Sequence, residues 1–366
     1  MKIFNHDIMT CTHNQVMGNQ LYSGRVLGMT GTDDIVQLHP DLKSEWDQIT
    51  DHYARIGLNH SHNVIWDVSF DVITHYPEYE ISVFYFGDSV YPDSSHANQF
   101  RQINEPWFQV VDFMNSKNNF MQLAQDLEVA VPKTSCFQDR TAIENYQWTS
   151  YPCYLKPAVS VDGMGITRCQ TEQQLFGALQ DFEPNIPFQI QAEVSASTFL
   201  NLQYRATDTG VEQLAASEQV LDGCSHSGNR YPTVHQPWDM VEPMAKWMAK
   251  QGMKEIFAFD VAVIGEAANP QYLAIECNPR FNGASYPTGI AHKLNITHWT
   301  SETFTTQHRS LHDLDLTGIE FDADKGTGVI LVNWGSILVG KVMVLLAGPV
   351  EKQNQIRTAL KQCLQK

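Results

Sequence analysis

Basic residues are scarce in this chain: 24 lysines and arginines stand against 41 aspartates and glutamates, a formal net charge of −17 over 366 residues. Such a surface repels phosphates at long range, which excludes an extended nucleic-acid-binding face but leaves room for a local basic pocket. Cysteine is sparse as well. The seven (Cys11, Cys136, Cys153, Cys169, Cys224, Cys277, Cys363) are scattered, odd in number and without a CxxC pair. That argues against a disulfide frame or a structural zinc, and fits reduced thiols in a cytoplasmic protein. No basic stretch followed by an apolar one opens the sequence, so no secretory signal is expected. Internal repeats and low-complexity tracts are lacking. One run is long enough to span a bilayer, residues 328–348, but Asn333, Ser336, Lys341 and two mid-run glycines interrupt it. It reads as two buried strands, about 328–333 and 337–346, joined by a turn, so no membrane partner is expected.

What remains is a globular composition, 43% hydrophobic and 11% aromatic. A chain of 366 residues exceeds one ordinary core, and two or three domains are expected. Within 1–112 the pattern is that of a small α/β unit. A short strand over 34–38 precedes a helix from Pro40 with Leu42, Trp46, Ile49, Tyr53 and Ile56 at helical spacing. Gly57 stands where that helix should stop, and strands are expected over 64–70 and 81–86. Short links between such elements predict a parallel sheet. A second unit, 113–300, opens with a helix capped by Ser116, with Phe120, Leu123, Ala124 and Leu127 on its apolar face. A strand over 153–156, a helix near 172–179, β-rich sequence over 188–219 and a helix over 237–251 ending at Gly252 follow. Residues 301–366 hold the two apolar strands and a terminal helix from about Pro349. They complete the second unit or form a small extra domain.

Residues 272–283, YLAIECNPRFNG, carry the most chemistry. The apolar strand ends in Glu276, skips one residue to Asn278, and runs through Pro279 to Arg280. Alternate positions share one sheet face, so a carboxylate, an amide and a guanidinium align there if the strand extends that far. Oxygen ligands followed by a phosphate-seeking fork suit a magnesium–nucleotide site. The preceding run IFAFDVAVI supplies Asp260, and GEAANPQ between the two runs reads as a hairpin loop. Opposed residues of an antiparallel pair have numbers of constant sum, which lets Asp260 face Glu276. Like charges so placed cost roughly 0.2–1 kcal/mol, and a cation between them turns that cost into a binding site. A structural salt bridge or a chance polar strand end is the plainer alternative.

A second segment, YPCYLKPAVSVDGMGI over 151–166, brings Lys156 to a strand end and follows it with a polar, glycine-bearing loop. Backbone N–H groups of such a loop can wrap phosphates while the lysine neutralises charge. It is not a Walker A sequence, and it gains meaning from the acidic hairpin further on. Lys117 stands at a helix N-terminus, where the helix dipole disfavours a cation and a phosphate would relieve the misfit. Arg230, in SHSGNRYPT, is expected on a loop and is a candidate for a substrate carboxylate or phosphate. His60 and His62 lack a third metal ligand and read as a solvated loop. The acidic stretch 313–324 reads as solvated surface.

Taken in order, Ser116-Lys117, Lys156-Pro157 with its glycine loop, Asp260, and the element Glu276-x-Asn278-Pro279-Arg280 resemble the ATP-grasp superfamily. That group includes D-alanine–D-alanine ligases, biotin carboxylases and carbamoyl-phosphate synthetases. The resemblance covers about 113–300. It implies a Rossmann-like pre-ATP-grasp α/β domain, then an ATP-grasp fold of two α+β subdomains clamping ATP, with a lid over about 133–195. It further implies that Lys117 and Lys156 contact nucleotide phosphates and that Ser160, Gly163, Met164 and Gly165 belong to a mobile loop over them. Glu193 lies near the nucleoside, although the family's usual acid falls closer to Ala192. Asp260, Glu276 and Asn278 would hold Mg2+ (or Mn2+), and Arg280 would steady the transferred phosphoryl group. The implied activity is ATP-dependent ligation of a carboxylate to an amine through an acyl phosphate, with amino acids or short peptides as substrates; apart from the resemblance, a homodimer is the default assembly. The alternatives are a carbamoyl-phosphate-type kinase acting on bicarbonate and an ATP-binding regulatory protein without turnover.

Overall fold

Alternation of short apolar runs with one amphipathic helix builds a parallel sheet at the start of the chain. The computed structural model describes residues 1–8, 18–85, 95–143, 146–160, 163–222, 225–266 and 268–365. In it, β1 (Lys2–Asn5), β2 (Ile35–Gln37), β3 (Asn63–Ile65) and β4 (Glu80–Val83) pair in the order β3-β2-β1-β4, all parallel. The chain reverses its direction of travel across this sheet between β1 and β4, the kind of crevice where open α/β sheets bind ligands. Pro40–Glu45 is a 3-10 turn that runs into α1 (Trp46–Arg55), and Gly57 follows at φ +73°, as a helix stop requires. The strand expected over 64–70 ends at Ile65. Two side chains explain it: Ser69 N donates to Asp67 Oδ1 at 2.8 Å and Asp71 N to Ser69 Oγ at 3.2 Å, starting the 3-10 helix Phe70–His75 instead. His60 is not on a solvated loop either. It is 4% exposed and sits 5.3 Å from the Tyr53 ring and 4.5 Å from that of His62.

Helices α2 (Ser95–Ile103), α3 (Glu105–Asn115) and α4 (Lys117–Asp126) lead to a second, antiparallel sheet. It consists of β5 (Thr134–Phe137), β6 (Cys153–Pro157), β7 (Thr167–Cys169) and β8 (Phe188–Ala192) in the order β5-β8-β6-β7, with α5 (Glu172–Asp181) packed on it. Phe137, Trp148, Leu155, Leu175, Leu179, Phe188 and Ile190 give this sheet a core of its own, apart from the large core of the rest of the molecule.

The third sheet has eight antiparallel strands in the order β13-β12-β9-β10-β11-β14-β16-β15. They are β9 (Ala196–Thr207), β10 (Gly210–Asp222), β11 (Ser225–Tyr231), β12 (Ile256–Ile264), β13 (Gln271–Asn278), β14 (Trp299–Thr305), β15 (Gly328–Asn333) and β16 (Lys341–Ala347). Helix α6 (Trp238–Lys250) buries Val241, Met244, Ala245 and Met248, and α7 (Ser285–Lys293) and α8 (Val350–Cys363) complete the chain. The apolar run near 328–347 is therefore two paired strands separated by the 3-10 helix Gly335–Val339. Among the described residues, no helix is long and apolar enough to cross a membrane.

An edge strand leaves a row of backbone groups unpaired, and β15 meets this with side chains from α1. Tyr53 Oη donates to Leu331 O at 3.0 Å, and Leu331 N donates to His52 Nε2 at 3.1 Å. His52 must then carry its proton on Nδ1, which donates to Glu320 Oε1 at 2.6 Å, while Arg55 holds the same carboxylate with two N–H groups. So the stretch 313–324 is not simply solvated: Glu320 is one-fifth exposed, and Leu314, Leu316 and Phe321 are buried. Burial pushes the Glu320 carboxyl up, but His52 and Arg55 outweigh it and bring it down to about 2. Burial also holds His52 below its ordinary value. Both groups bind fewer protons folded than unfolded, so their stabilisation is complete above pH ~6.5 and fades as pH falls. We expect Glu320→Gln to unfold at lower urea than wild type at pH 7. The gap should narrow below about pH 4.5, where the unfolded-state carboxylate begins to protonate. A constant gap from pH 7 to 3 would contradict the ionised contact.

Candidate functional site

The hairpin β12–β13 sets Asp260 directly opposite Glu276. Phe259↔Cys277 and Ala258↔Asn278 continue the same register toward the strand ends. On the loop side Val261 pairs with Ala274, so Ile275 is an extra residue and the constant sum fails just beyond the acids. Bulges of this kind re-aim neighbouring side chains and recur beside active sites. On its other flank β12 pairs with β9, which places Asn201 opposite Asp260. Asn201 Nδ2 donates to Asp260 Oδ1 at 2.8 Å, and Asn278 Nδ2 donates to Oδ2 at 3.1 Å. Sequence reading missed Asn201. Its signal was present, for Asn201 and Gln203 interrupt the buried strand FLNLQY at alternate positions, on one face.

Burial, and then the neighbouring charge of Glu276, push the Asp260 carboxyl up to about 7. Glu276 moves the other way. Burial would raise it, but Lys117, Lys156 and Arg280 together hold it below the usual carboxylate value. Lys117 Nζ lies 3.1 Å from Glu276 Oε2. The two acids thus share a site without sharing an environment. We expect Asp260→Asn to raise the stability of the protein in EDTA by about 0.5–2 kcal/mol, as relief of a strained charge pair commonly does. An unchanged or lower urea midpoint in EDTA would mean the acid pair is not repulsive.

Lys117 is the first residue of α4. Ser116 caps that helix by accepting from Asn119 N, and the Lys117 N–H donates to Ala158 O at 2.7 Å, in the loop that follows β6. Its ammonium, buried and at the unfavourable helix end, is met here by the Glu276 carboxylate. Lys156, also buried, leaves the end of β6 and donates to Gln191 Oε1 at 2.6 Å. Gln191 is fixed in turn by donating to Thr134 Oγ1 at 3.1 Å. Strand β13 stops at Asn278, so Arg280 does not extend the strand face as expected. It still reaches the acids from the following turn, with its Nη1 donating to Asn115 Oδ1 at 2.9 Å. Gly163 and Gly165 have φ of +73° and +77°, and a Cβ at Gly165 would lie 2.9 Å from Pro157 Cγ, so this loop needs glycine there. Ser160 and the exposed Met164 flank the same loop, of which residues 161 and 162 lie outside the described residues.

Two expected residues are not brought to the acids. Arg230 lies in strand β11 rather than on a loop, and its Nη1 is 3.6 Å from Glu218 Oε2 on β10. Strands β9 and β10 separate β11 from β12, a distance of about 14 Å at ordinary strand spacing. Glu193, just past β8, is held by Arg168 Nε and Nη2 at 2.8 and 2.7 Å and by Tyr154 Oη at 3.0 Å.

The donor set fits magnesium. It comprises two facing carboxylates, the Asn278 amide, and the buried Asn201 Oδ1, which has no hydrogen-bond partner. Among the described residues, no three His, Cys, Asp or Glu come together as a metal cluster. Magnesium needs no such cage, because it keeps waters and phosphate oxygens and takes only one or two carboxylates from a protein.

No protein-family model matches the chain, and no curated protein matches it by sequence. Solved structures do match in three dimensions. An N5-carboxyaminoimidazole synthetase from Staphylococcus aureus complexed with ADP superposes with a TM-score of 0.59 at 12% identity, over 99% of this chain and 96% of that one. The Aspergillus clavatus N5-carboxyaminoimidazole synthase, in complex with ADP and 5-aminoimidazole ribonucleotide, gives 0.54 at 9% identity over 92% and 100%. An ATP-grasp superfamily protein from Archaeoglobus fulgidus gives 0.52 at 12% identity over 95% and 100%. Superposition over nearly the whole of each chain shows the architecture and nothing finer: the chain has the ATP-grasp fold.

Proposed function

We propose that this protein is an ATP-dependent ligase that joins a small-molecule carboxylate to an amine and releases ADP and phosphate. The observation that carries it is the distribution of charge around one carboxylate. Glu276 faces Asp260 across the hairpin, while Lys117, Lys156 and Arg280 all bear on it. The fold supports the same conclusion, since the two synthetases above were solved with ADP, one of them also with an amine-bearing ribonucleotide.

In this scheme Lys117, Lys156 and the loop with Ser160, Gly163, Met164 and Gly165 receive the phosphates, and Glu193 stands at the nucleoside end. Asp260, Glu276 and Asn278 would hold Mg2+ (Mn2+ as a substitute), which supplies charge neutralisation on the phosphates. A carboxylate oxygen of the substrate attacks the γ-phosphorus, the bond to the β-phosphate oxygen breaks, and ADP leaves. The amine nitrogen then attacks the acyl carbon, loses its proton, and expels phosphate. Arg280, fixed by Asn115, stabilises charge on the transferring phosphoryl group. Arg230, half-exposed beside Glu218 and away from the acids, is left for a remote carboxylate or phosphate of the substrate. We assign 1–112 to the first domain, 113–300 to the ATP-grasp domain with its lid at about 133–195, and 301–366 to strands that complete the large sheet. The names of the synthetases, which describe a carboxylated amine, favour bicarbonate as a second choice for the carboxylate.

The test is ADP release from magnesium–ATP against bicarbonate, pooled amines, amino acids and dipeptides, with mass spectrometry of any product. Condensation of a carboxylate with an amine in step with ADP release supports the proposal. Tight ATP binding with no release across the panel overturns it in favour of a regulatory ATP-binding protein.

A further inference from the structure

The crevice between β1 and β4 holds a buried cation that the scheme above does not use. Arg25, on the 3-10 helix Asn19–Met29 that follows β1, is only 8% exposed. Its guanidinium lies 4.9 Å from the Tyr22 ring, 5.0 Å from Phe84 and 4.3 Å from Tyr286. Its Nε is buried with no hydrogen-bond partner, and among the described residues Arg25 forms no ion pair. The guanidinium of Arg280 lies 5.8 Å from the same Phe84 ring. Two guanidinium groups thus crowd one aromatic side chain at the carboxyl ends of the parallel strands. Cation–π contacts hold the charge, but they leave the Nε donor unsatisfied.

The wall behind Arg25 is a chain of polar contacts. Lys2 Nζ contacts Glu255 Oε1 at 2.6 Å, and Ser82 Oγ donates to Glu255 Oε2 at 2.5 Å. His6 Nε2 then donates to Ser82 Oγ at 3.1 Å, which leaves Nδ1 to accept from Tyr286 Oη at 2.9 Å. Burial and the charge of Arg25 hold His6 well below its ordinary value, so it adds no positive charge. The hydroxyl of Tyr286 spends its proton on His6 and offers only lone pairs toward the cation. Arg25 hydrogen-bonds Tyr286 and keeps its Nε unpartnered on this aromatic cradle.

We infer that Arg25 forms an oxyanion subsite for the non-nucleotide substrate, recognising a carboxylate or phosphate monoester group that does not itself react. The inference rests on the ligase proposal for the direction in which the substrate lies, since Arg280 points back to Glu276. Planar, bidentate recognition of either group is what a guanidinium does better than an ammonium.

Binding of succinate, a dicarboxylate, and of ribose 5-phosphate, a phosphate monoester, is to be measured by calorimetry on the full chain with magnesium–ADP present. The same titrations are made on Arg25→Met and Arg25→Lys, with circular dichroism to confirm folding. One probe should bind the wild type, identifying the anion. Arg25→Met should weaken it by about tenfold or more, the loss of a charge-assisted hydrogen bond, and Arg25→Lys should weaken it less. ADP affinity should not change. Should Arg25→Met fail to fold, the lysine variant alone decides. Failure of both probes to bind the wild type overturns the subsite, and so does equal binding by wild type and Arg25→Lys. ADP binding is read separately: its absence in the wild type sinks the ligase proposal, whereas the probe titrations decide the subsite.

Discussion

Glu276→Ala is expected to lower ADP release by about 10²–10³-fold or more, the scale seen when one preorganised charge is removed from a phosphoryl-transfer or oxyanion site. Three consequences of the geometry converge on this residue. Its carboxylate faces Asp260 and completes the paired oxygen donors. It neutralises Lys117, whose Nζ sits 3.1 Å away and has little access to solvent. It also lies within the influence of Lys156 and Arg280, so its loss leaves three cations facing one acid. The effect on folding should be small because two terms oppose each other. Removing Glu276 relieves the repulsion that pushes Asp260 up to about 7, but it leaves the Lys117 ammonium buried without its partner. The urea midpoint should therefore stay near that of wild type while turnover disappears. Glu193→Ala serves as the contrast: that carboxylate is tied to Arg168 and Tyr154 on the second sheet, and its loss should touch nucleotide affinity rather than rate. Full ADP release by Glu276→Ala would dismiss the acidic hairpin as the reaction centre.

Why the acids were legible and their surroundings were not follows from how each contact is made. Asp260 and Glu276 belong to one hairpin, and a local register can be counted from the strand runs and the loop between them. The count held at the acids and failed one step later, because a bulge is a backbone event with no residue code of its own. Ser116 capping and the helix that follows were readable for the same local reason. Asn201 was not, since β9 reaches β12 from about 60 positions away and only the fold brings their registers together. Arg230 was mistaken for a loop residue because Ser, Gly and Asn in SHSGNRYPT are turn formers, yet pairing with β10 and β14 on both sides overrides that preference. The expected strand over 64–70 failed in the opposite sense. Asp67 and Ser69 offered the backbone local hydrogen bonds, and those won over a further ladder. The apolar runs near the C-terminus were legible as strands, but nothing in their sequence announced that α1 would cap Leu331 of β15.

Gly228→Ala should cost about 3–5 kcal/mol, the largest stability loss expected from a single methyl group in this molecule. A Cβ at this position would overlap Ser301 O and stand 2.8 Å from Ser301 C and 3.3 Å from Glu302 Cα. All three atoms are backbone, so no side-chain rotation can make room. Gly228 pairs with Glu302 where β11 meets β14, the seam through which β14, β16 and β15 join the rest of the eight-stranded sheet. The added methyl must push β14 away from β11, breaking a short ladder of four opposed pairs and the bond from Asn229 N to Ser301 Oγ. Because β16, β15 and α8 follow β14, the damage should spread along the C-terminal side, seen as faster amide exchange over 299–305 and 341–347. The acidic hairpin lies at the other end of the strand order, so magnesium–ADP should still bind whatever fraction remains folded. Gly177→Ala on α5 supplies the control. It meets nothing within 4 Å, and alanine should stabilise that helix by about 0.5–1 kcal/mol. Two glycine-to-alanine changes of opposite sign, measured by urea unfolding, separate close backbone approach from chain entropy. Equal stability for Gly228→Ala and wild type would mean that β11 and β14 are not in contact, and the large sheet would have to be redrawn as two.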